Sequence, residues 1–342
     1  MKRRYIILIL GIGAILLLMI GEDREPTAQN KNSYVTQDIN TFKYLGELNT
    51  EDDFKIAARY DLLILNEGEA VPEKISKIRS YNPNVKIILY TMSEDLPNPN
   101  HPFFREHPEI HPSLQKMYED INKNHPEYFL LDSNGKRIYL WVYDQMFKEH
   151  YPNTEEKPGH CLDPRTGWAN YYKDYVLNSI ARGIYDGVYS DAAMSYEEMK
   201  DEGNIKYWKV DNGPEEWNQA VHKMLKGIED SLGEDAITIY NNGYNLWIDV
   251  YDGRLFEWFL SNWDYATLGG EQWLLHIQSA KETVESGKML FAMQYGNTDE
   301  DRMYGLTSFL LIANDKSYYS FNEQSVDDQT PWLWYPEYET EI

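Results

Sequence analysis

The sequence predicts an α/β fold in which eight strands and intervening helices close into a (β/α)8, or TIM, barrel with a long insertion after the third strand. Strand-length apolar runs recur along the chain, and most are followed by a helical pattern. The runs are nearly continuous, as is typical of parallel strands covered on both faces. A doubly wound sheet gives the same alternation, but no Gly-x-Gly-x-x-Gly follows any strand, which counts against its dinucleotide-binding version.

The predicted elements follow one another in order along the chain. β-Branched, aliphatic and aromatic residues mark strands at 41–45, 61–66, 85–90, 184–190, 236–241, 254–259, 288–294 and 317–321. Helical patterns mark 51–59, 72–81, 168–182, 213–232, 271–286 and 301–312. Pro72 is expected at an early helical position, and Gly183 is expected to end the helix before the fourth strand.

The alternation of strands and helices is interrupted over residues 91–164, a segment that is too long for an ordinary connection. Within them, residues 128–131 and 137–143 flank an Asp-Ser-Asn-Gly sequence that is typical of a hairpin turn. The insertion is interpreted either as an elaborated loop that helps to build a binding cleft or as a small structural subdomain.

The N-terminal segment has the pattern of an export signal. Lys2, Arg3 and Arg4 precede an apolar run over residues 5–20, which is slightly shorter than the roughly 20 residues of a comfortable membrane span. We expect residues 1–33 to be a signal or anchor with a polar tether, and residues 34–342 to form the barrel. The bulk of the chain is then expected outside the cell or on its surface, with membrane contact only through this segment.

The amino-acid composition limits the classes of partner that the protein is expected to bind. The net charge of −24 argues against nucleic acid and permits a neutral or cationic substrate, although it also fits a simple role in solubility. Ten Trp and 28 Tyr suit a sugar-binding cleft or an aromatic core. Cys161 is the only cysteine, and the eight histidines form no recognised metal spacing, so we expect no metal site and no cofactor.

Polar residues gather where the predicted strands end, which is where barrel active sites lie. Asp191 ends the fourth strand and Glu257 lies in the sixth, so the two supply the carboxylate pair that glycoside hydrolysis needs. Asp191 could instead cap a turn, and Glu257 could be a buried, hydrogen-bonded residue. The candidate substrate-binding residues are Asn66, Glu67, Tyr90, Trp141, Tyr189, Asn241, Trp258, Asn262, Trp263, Gln294 and Tyr295.

One stretch carries a family resemblance. The sequence Asp186-Gly187-Val188-Tyr189-Ser190-Asp191 resembles the Asp-Gly-hydrophobic-aromatic-x-Asp strand of barrel glycoside hydrolases. With residues 84–90, residues 162–164 and the strand of Glu257, it is most similar to hypothetical glycosyl hydrolases related to endo-α-1,4-polygalactosaminidases. The resemblance implies a TIM barrel in which Asp191 and Glu257 match the family's two catalytic carboxylates.

The function expected from these observations is that of an exported glycoside hydrolase with a carbohydrate substrate. Asp191 is expected to be the nucleophile and Glu257 the acid/base, or the reverse. The main alternative is a catalytically silent carbohydrate-binding barrel at the cell surface. A metal-dependent carbohydrate esterase is a third, weaker hypothesis, because no metal motif is present.

Overall fold

The computed structural model describes residues 39–140, 144, 147–148, 150–202, 214–241, 245–262, 265–323 and 331–339. Strands β1 to β10 are Asn40–Tyr44, Leu62–Leu65, Lys86–Met92, Asp95–Pro97, Gly159–Cys161, Gly187–Asp191, Ile237–Tyr240, Gly253–Phe256, Met289–Gly296 and Ser317–Glu323. Helices α1 to α9 are Glu51–Ala57, Pro72–Tyr81, Pro102–Glu106, Pro112–Asn124, Trp168–Ile180, Tyr196–Glu202, Pro214–Leu232, Gly270–Glu285 and Asp299–Leu310. The expected signal or anchor segment, Trp141 and Trp263 lie outside these residues.

The strands form a closed parallel barrel in the order β1-β10-β9-β8-β7-β6-β3-β2. The predicted TIM barrel is therefore confirmed. In β2, β3 and β9, alternate residues contribute to two separate hydrophobic clusters, so that Leu62 and Ile64 belong to one and Leu63 and Leu65 to the other. This alternation follows from the two-residue period of a strand and explains the continuous apolar runs. Among the described helices, none is long and apolar enough to cross a membrane.

The strand that carries Asp191 is shorter than predicted. It begins at Gly187 instead of residue 184. The Asp186 carboxylate accepts hydrogen bonds from the Ile87 amide at 2.8 Å and the Arg79 guanidinium at 2.9 Å. Gly183 has φ +73° just beyond α5, as expected of a residue that ends a helix. Asp186 therefore ties β6 to β3 and α2 at the end of the barrel opposite Asp191.

The insertion is a structured subdomain joined to the barrel. Its strands β4 and β5 pair in antiparallel fashion, and α4 buries Leu114, Met117 and Ile121 in the same cluster as the barrel interior. Within the described residues, the predicted hairpin forms a bridge between Leu131 and Arg137. The Asp132 side chain accepts from two amides of the turn between them, which stabilises the turn.

The glycine of the Asp-Gly sequence is required by close packing. A Cβ atom on Gly187 would overlap the backbone carbonyl of Ile237 on the paired strand β7. Gly187→Ala is therefore expected to lower the free energy of unfolding by about 1–3 kcal/mol. Gly227→Ala in α7 is the control, because there the new Cβ would lie 3.7 Å from the side chain of Lys173 in α5. Denaturant unfolding of both variants checks this prediction, and equal stabilities would contradict it.

Candidate active site

Asp191 ends β6 with its carboxylate held by three donors. Oδ2 accepts from the Tyr90 hydroxyl at 2.9 Å, and Oδ1 accepts from the Ala192 amide at 2.7 Å and from Asn241 Nδ2 at 3.1 Å. Ala192 has φ +54°, so the backbone turns sharply directly after the strand. Asp191 is only 6% exposed. The carboxylate is thus fixed in one orientation by strands β3 and β6 and by Asn241, just after β7.

Glu257 lies just beyond the end of β8, because that strand stops at Phe256 instead of continuing to residue 259. Its side chain accepts from Asn241 Nδ2 at 2.8 Å and from the Tyr295 hydroxyl at 3.3 Å. Glu257 is half-buried, whereas Asp191 is buried. The two carboxylates therefore differ in their access to solvent.

Asn241 sets the separation of the two carboxylates. Its single amide nitrogen donates to Asp191 Oδ1 at 3.1 Å and to Glu257 Oε2 at 2.8 Å. The two bond lengths limit the separation of these oxygens to about 6 Å, and the ideal geometry of an amide group, whose hydrogens diverge by about 120°, corresponds to about 5 Å. Two carboxylates that share one donor in this way can act on the same bond.

Burial governs the charge state of the site. It raises the pKa of Asp191, while hydrogen bonds from Asn241 and Tyr90 act in the opposite direction. Burial also raises the pKa of the Tyr189 hydroxyl well above its usual value, and the charges of Asp191 and Glu257 raise it further. The pKa of Asp95 is raised to about 8 by burial and then by the charge of Asp191. Asp95 therefore remains a neutral acid at pH 7.

Aromatic rings surround the carboxylates on two sides. Tyr44 makes edge contacts with Tyr90 at 5.9 Å and with Tyr189 at 5.7 Å between ring centres. Trp258 stacks on Tyr295 at 4.1 Å. Trp258 has φ +57°, an unfavourable conformation for a bulky residue, which is found mostly where function fixes a side chain. Trp258 is half-buried whereas the four tyrosines are buried, so among these rings it is the one that offers the flat apolar surface that sugars bind.

The structure brings together Asp191, Glu257, Tyr90, Tyr189, Asn241, Trp258 and Tyr295. Gln294 takes another position: it is fully buried, accepts from the Leu260 amide and donates to the Tyr295 carbonyl. Asn262 hydrogen-bonds across a turn to Ala266. Both roles maintain backbone structure.

Asn66 and Glu67 follow β2 and line a small cavity that reaches Tyr90. Asn66 accepts from the Glu69 amide at 3.0 Å, and Glu67 faces Arg182 at 3.7 Å. Sequence reasoning missed Tyr44, because the first strand is only weakly marked, and it missed Asp95 and His111, because both lie in the insertion. Among the described residues, no three His, Cys, Asp or Glu side chains converge to hold a metal ion.

A closed parallel barrel that carries two adjacent carboxylates where its strands end is the arrangement that barrel glycoside hydrolases use. The chain belongs to hypothetical glycosyl hydrolase family 15, whose family model matches residues 79–342. No curated protein matches the sequence.

The fold resembles many solved structures, including a glycoside hydrolase domain and a fucosidase. The glycoside hydrolase domain of PelA from Pseudomonas aeruginosa has a TM-score of 0.56 and 9% identity, with 84% of this chain and 96% of that chain covered. An alpha-L-fucosidase isoenzyme 2 from Paenibacillus thiaminolyticus has a TM-score of 0.51 and 10% identity, with 88% of this chain and 48% of that chain covered. At these identities the likeness bears on the fold alone.

Proposed function

We propose that this protein hydrolyses O-glycosidic bonds of a polysaccharide or oligosaccharide with Asp191 and Glu257, and that it retains the anomeric configuration. The observation that carries the proposal is the Asn241 amide shared by both carboxylates. It supports a separation of about 5 Å, which matches the roughly 5–5.5 Å of retaining enzymes and not the 6.5–9.5 Å of inverting ones.

The environments of the two carboxylates support distinct roles. Asp191 is buried and accepts three hydrogen bonds, so its anion is held in place as a nucleophile. Glu257 is more accessible, as an acid/base that must exchange a proton with water needs to be. In the first step an Asp191 oxygen bonds to the anomeric carbon, while the glycosidic bond breaks and the Glu257 proton passes to the leaving oxygen.

In the second step a water molecule displaces Asp191 from the sugar. Glu257, now a carboxylate, takes a proton from the water while the water oxygen bonds to the anomeric carbon and displaces Asp191. The two inversions give net retention. Asn241 and Tyr90 donate to the Asp191 carboxylate whenever it is negatively charged, which stabilises it as the leaving group of this step.

The substrate class is proposed from the resemblance and the charge together. The Asp-Gly strand resembles those of hydrolases related to endo-α-1,4-polygalactosaminidases, and the net charge of −24 suits a cationic polymer. Partly deacetylated amino-sugar polymers are therefore the first substrates to test. Neutral α- and β-linked polysaccharides complete the panel.

The stereochemical outcome tests the mechanism. We expect time-resolved proton NMR of a cleaved oligosaccharide to show first the anomer that the substrate carried, and only later its equilibrium with the other anomer. Initial formation of the opposite anomer would contradict the retaining mechanism and the separation on which it rests.

We also propose that the protein works outside the cytoplasm, anchored or secreted through residues 1–33. The support is the basic start and the apolar run of residues 5–20. Cell fractionation of the full-length protein should find it with the membrane or outside the cell. Recovery from the cytosol alone would contradict this proposal.

A further inference from the structure

His111 connects the insertion to the proposed active site. It directly precedes α4, and its ring stacks on Tyr90 with centres 4.9 Å apart and planes inclined by 19°. The hydroxyl of the same tyrosine donates to Asp191 Oδ2 at 2.9 Å. A single contact therefore separates a residue of the insertion from the hydrogen bond that orients the proposed nucleophile.

The backbone around His111 is firmly held. His111 has φ +49°, a conformation that few non-glycine residues adopt, and Pro112 fixes the next φ. The Gln115 amide donates to the His111 carbonyl at 3.0 Å, and the Gln115 side chain donates to the Ile110 carbonyl at 2.5 Å. Since α4 is anchored in the barrel's interior cluster, it holds the imidazole against Tyr90.

The contact depends on the face of the imidazole ring and not on its polarity. Burial lowers the pKa of His111 to about 4, so the ring is neutral near pH 7. Its Nδ1 is buried and has no hydrogen-bond partner within the described part of the chain. Replacement by a phenyl ring therefore loses no hydrogen bond at Nδ1.

The titratable groups around this contact lie on several elements. Glu67, beyond β2, and Tyr175, on α5, line the cavity beside His111. The groups that interact with Asp191 are Tyr44 on β1, Tyr90 on β3, Asp95 on β4, Tyr172 on α5, Tyr189 on β6 and, through the shared Asn241 amide, Glu257 after β8. Of these, Tyr90 is the one that His111 contacts by stacking.

We infer that His111 is a positioning residue, which holds the Tyr90 hydroxyl on the Asp191 carboxylate. This inference rests on the proposed function and gives the insertion a part in it. A hydrogen bond to the ionised carboxylate favours ionisation, so losing it raises the pKa of Asp191. The acidic limb of the kcat/KM profile, which requires ionised Asp191, then moves to higher pH.

The test compares Tyr90→Phe, His111→Ala, His111→Leu and His111→Phe. We expect Tyr90→Phe to move the acidic limb up by about 1–2 pH units, as loss of a charged hydrogen bond implies. Both His111→Ala and His111→Leu should move the limb in the same direction by a smaller amount, whereas His111→Phe should stay near wild type. In the double variant Tyr90→Phe/His111→Ala, the limb should move no further than with Tyr90→Phe alone. Thermal unfolding of each variant monitors folding, and the leucine variant retains most of the side-chain volume if alanine prevents folding.

A second readout separates this inference from the proposed function. Carbon-13 NMR of the Asp191 carboxyl, assigned by its absence in Asp191→Asn, follows its titration without any substrate. The same order of variants is expected there, even if no glycan is cleaved. Unchanged Asp191 titration in His111→Ala and His111→Leu, or an equal shift in His111→Phe, would overturn the inference.

Discussion

Replacing Glu257 with glutamine is expected to slow hydrolysis of a natural substrate by roughly 10²–10⁴-fold with little change in stability. Glutamine keeps the size of the side chain and can still contact Asn241 and Tyr295, but it cannot give or take the proton. Steady-state kinetics on an aryl glycoside of the cleaved sugar provide the sharpest measurement. A good leaving group needs no proton, so the first step should survive and added azide should restore turnover as a glycosyl azide of retained configuration.

Asp191→Asn is the matched comparison. It removes the nucleophile, so neither an activated leaving group nor azide should restore turnover with retention. If azide restores turnover to Asp191→Asn, with a product of retained configuration, and leaves Glu257→Gln inactive, the two roles are the reverse of those proposed. Full activity in both variants would remove both residues from the mechanism.

Replacing Asn241 with alanine is expected to lower kcat/KM by about 10–100-fold, because one amide orients both carboxylates and helps to stabilise their charge. Loss of this donor should also raise the pKa of Asp191, since burial already raises it and Asn241 counteracts burial. The acidic limb of the kcat/KM profile should therefore move to higher pH.

Asn82→Ala is the control for this variant. Asn82 also donates from its side chain, to the Ala58 carbonyl at 2.9 Å, but it lies between α2 and β3 at the other end of the barrel. The Asn82→Ala variant should lose some stability, and its pH profile of kcat/KM should match that of the wild type. An Asn241→Ala profile that coincides with wild type at all pH values would contradict the bridging role.

The sequence is informative about the barrel strands because their apolar runs are long and regular. Asp191 and Asn241 were found because each lies where such a run stops. The alternation of residues along a strand separates Tyr295 from Gln294. Tyr295 belongs to the same cluster as Phe291 and Met293, whereas Gln294 lies on the opposite face and bonds to backbone groups.

The contacts of the insertion are difficult to predict from the sequence for a physical reason. Its contacts join residues distant in sequence, such as His111 with Tyr90 of the barrel and Cys161 with Asp95 within the insertion, and no local periodicity encodes them. The position of Asn241, which was expected to bind substrate, also depends on contacts between residues distant in sequence. Its contact with both carboxylates depends on how β6, β7 and the end of β8 converge.

The most direct test of the central claim is the release of reducing ends from glycan polymers by the full-length protein. The panel contains partly deacetylated amino-sugar polymers and neutral α- and β-linked polysaccharides, with the Asp191→Asn/Glu257→Gln double variant assayed in parallel. We expect the wild type to release reducing ends from at least one polymer and the folded double variant to release none. Equal release by both proteins, or a wild type that binds a polymer without cleaving any, would contradict the claim, and the second result would favour a carbohydrate-binding barrel.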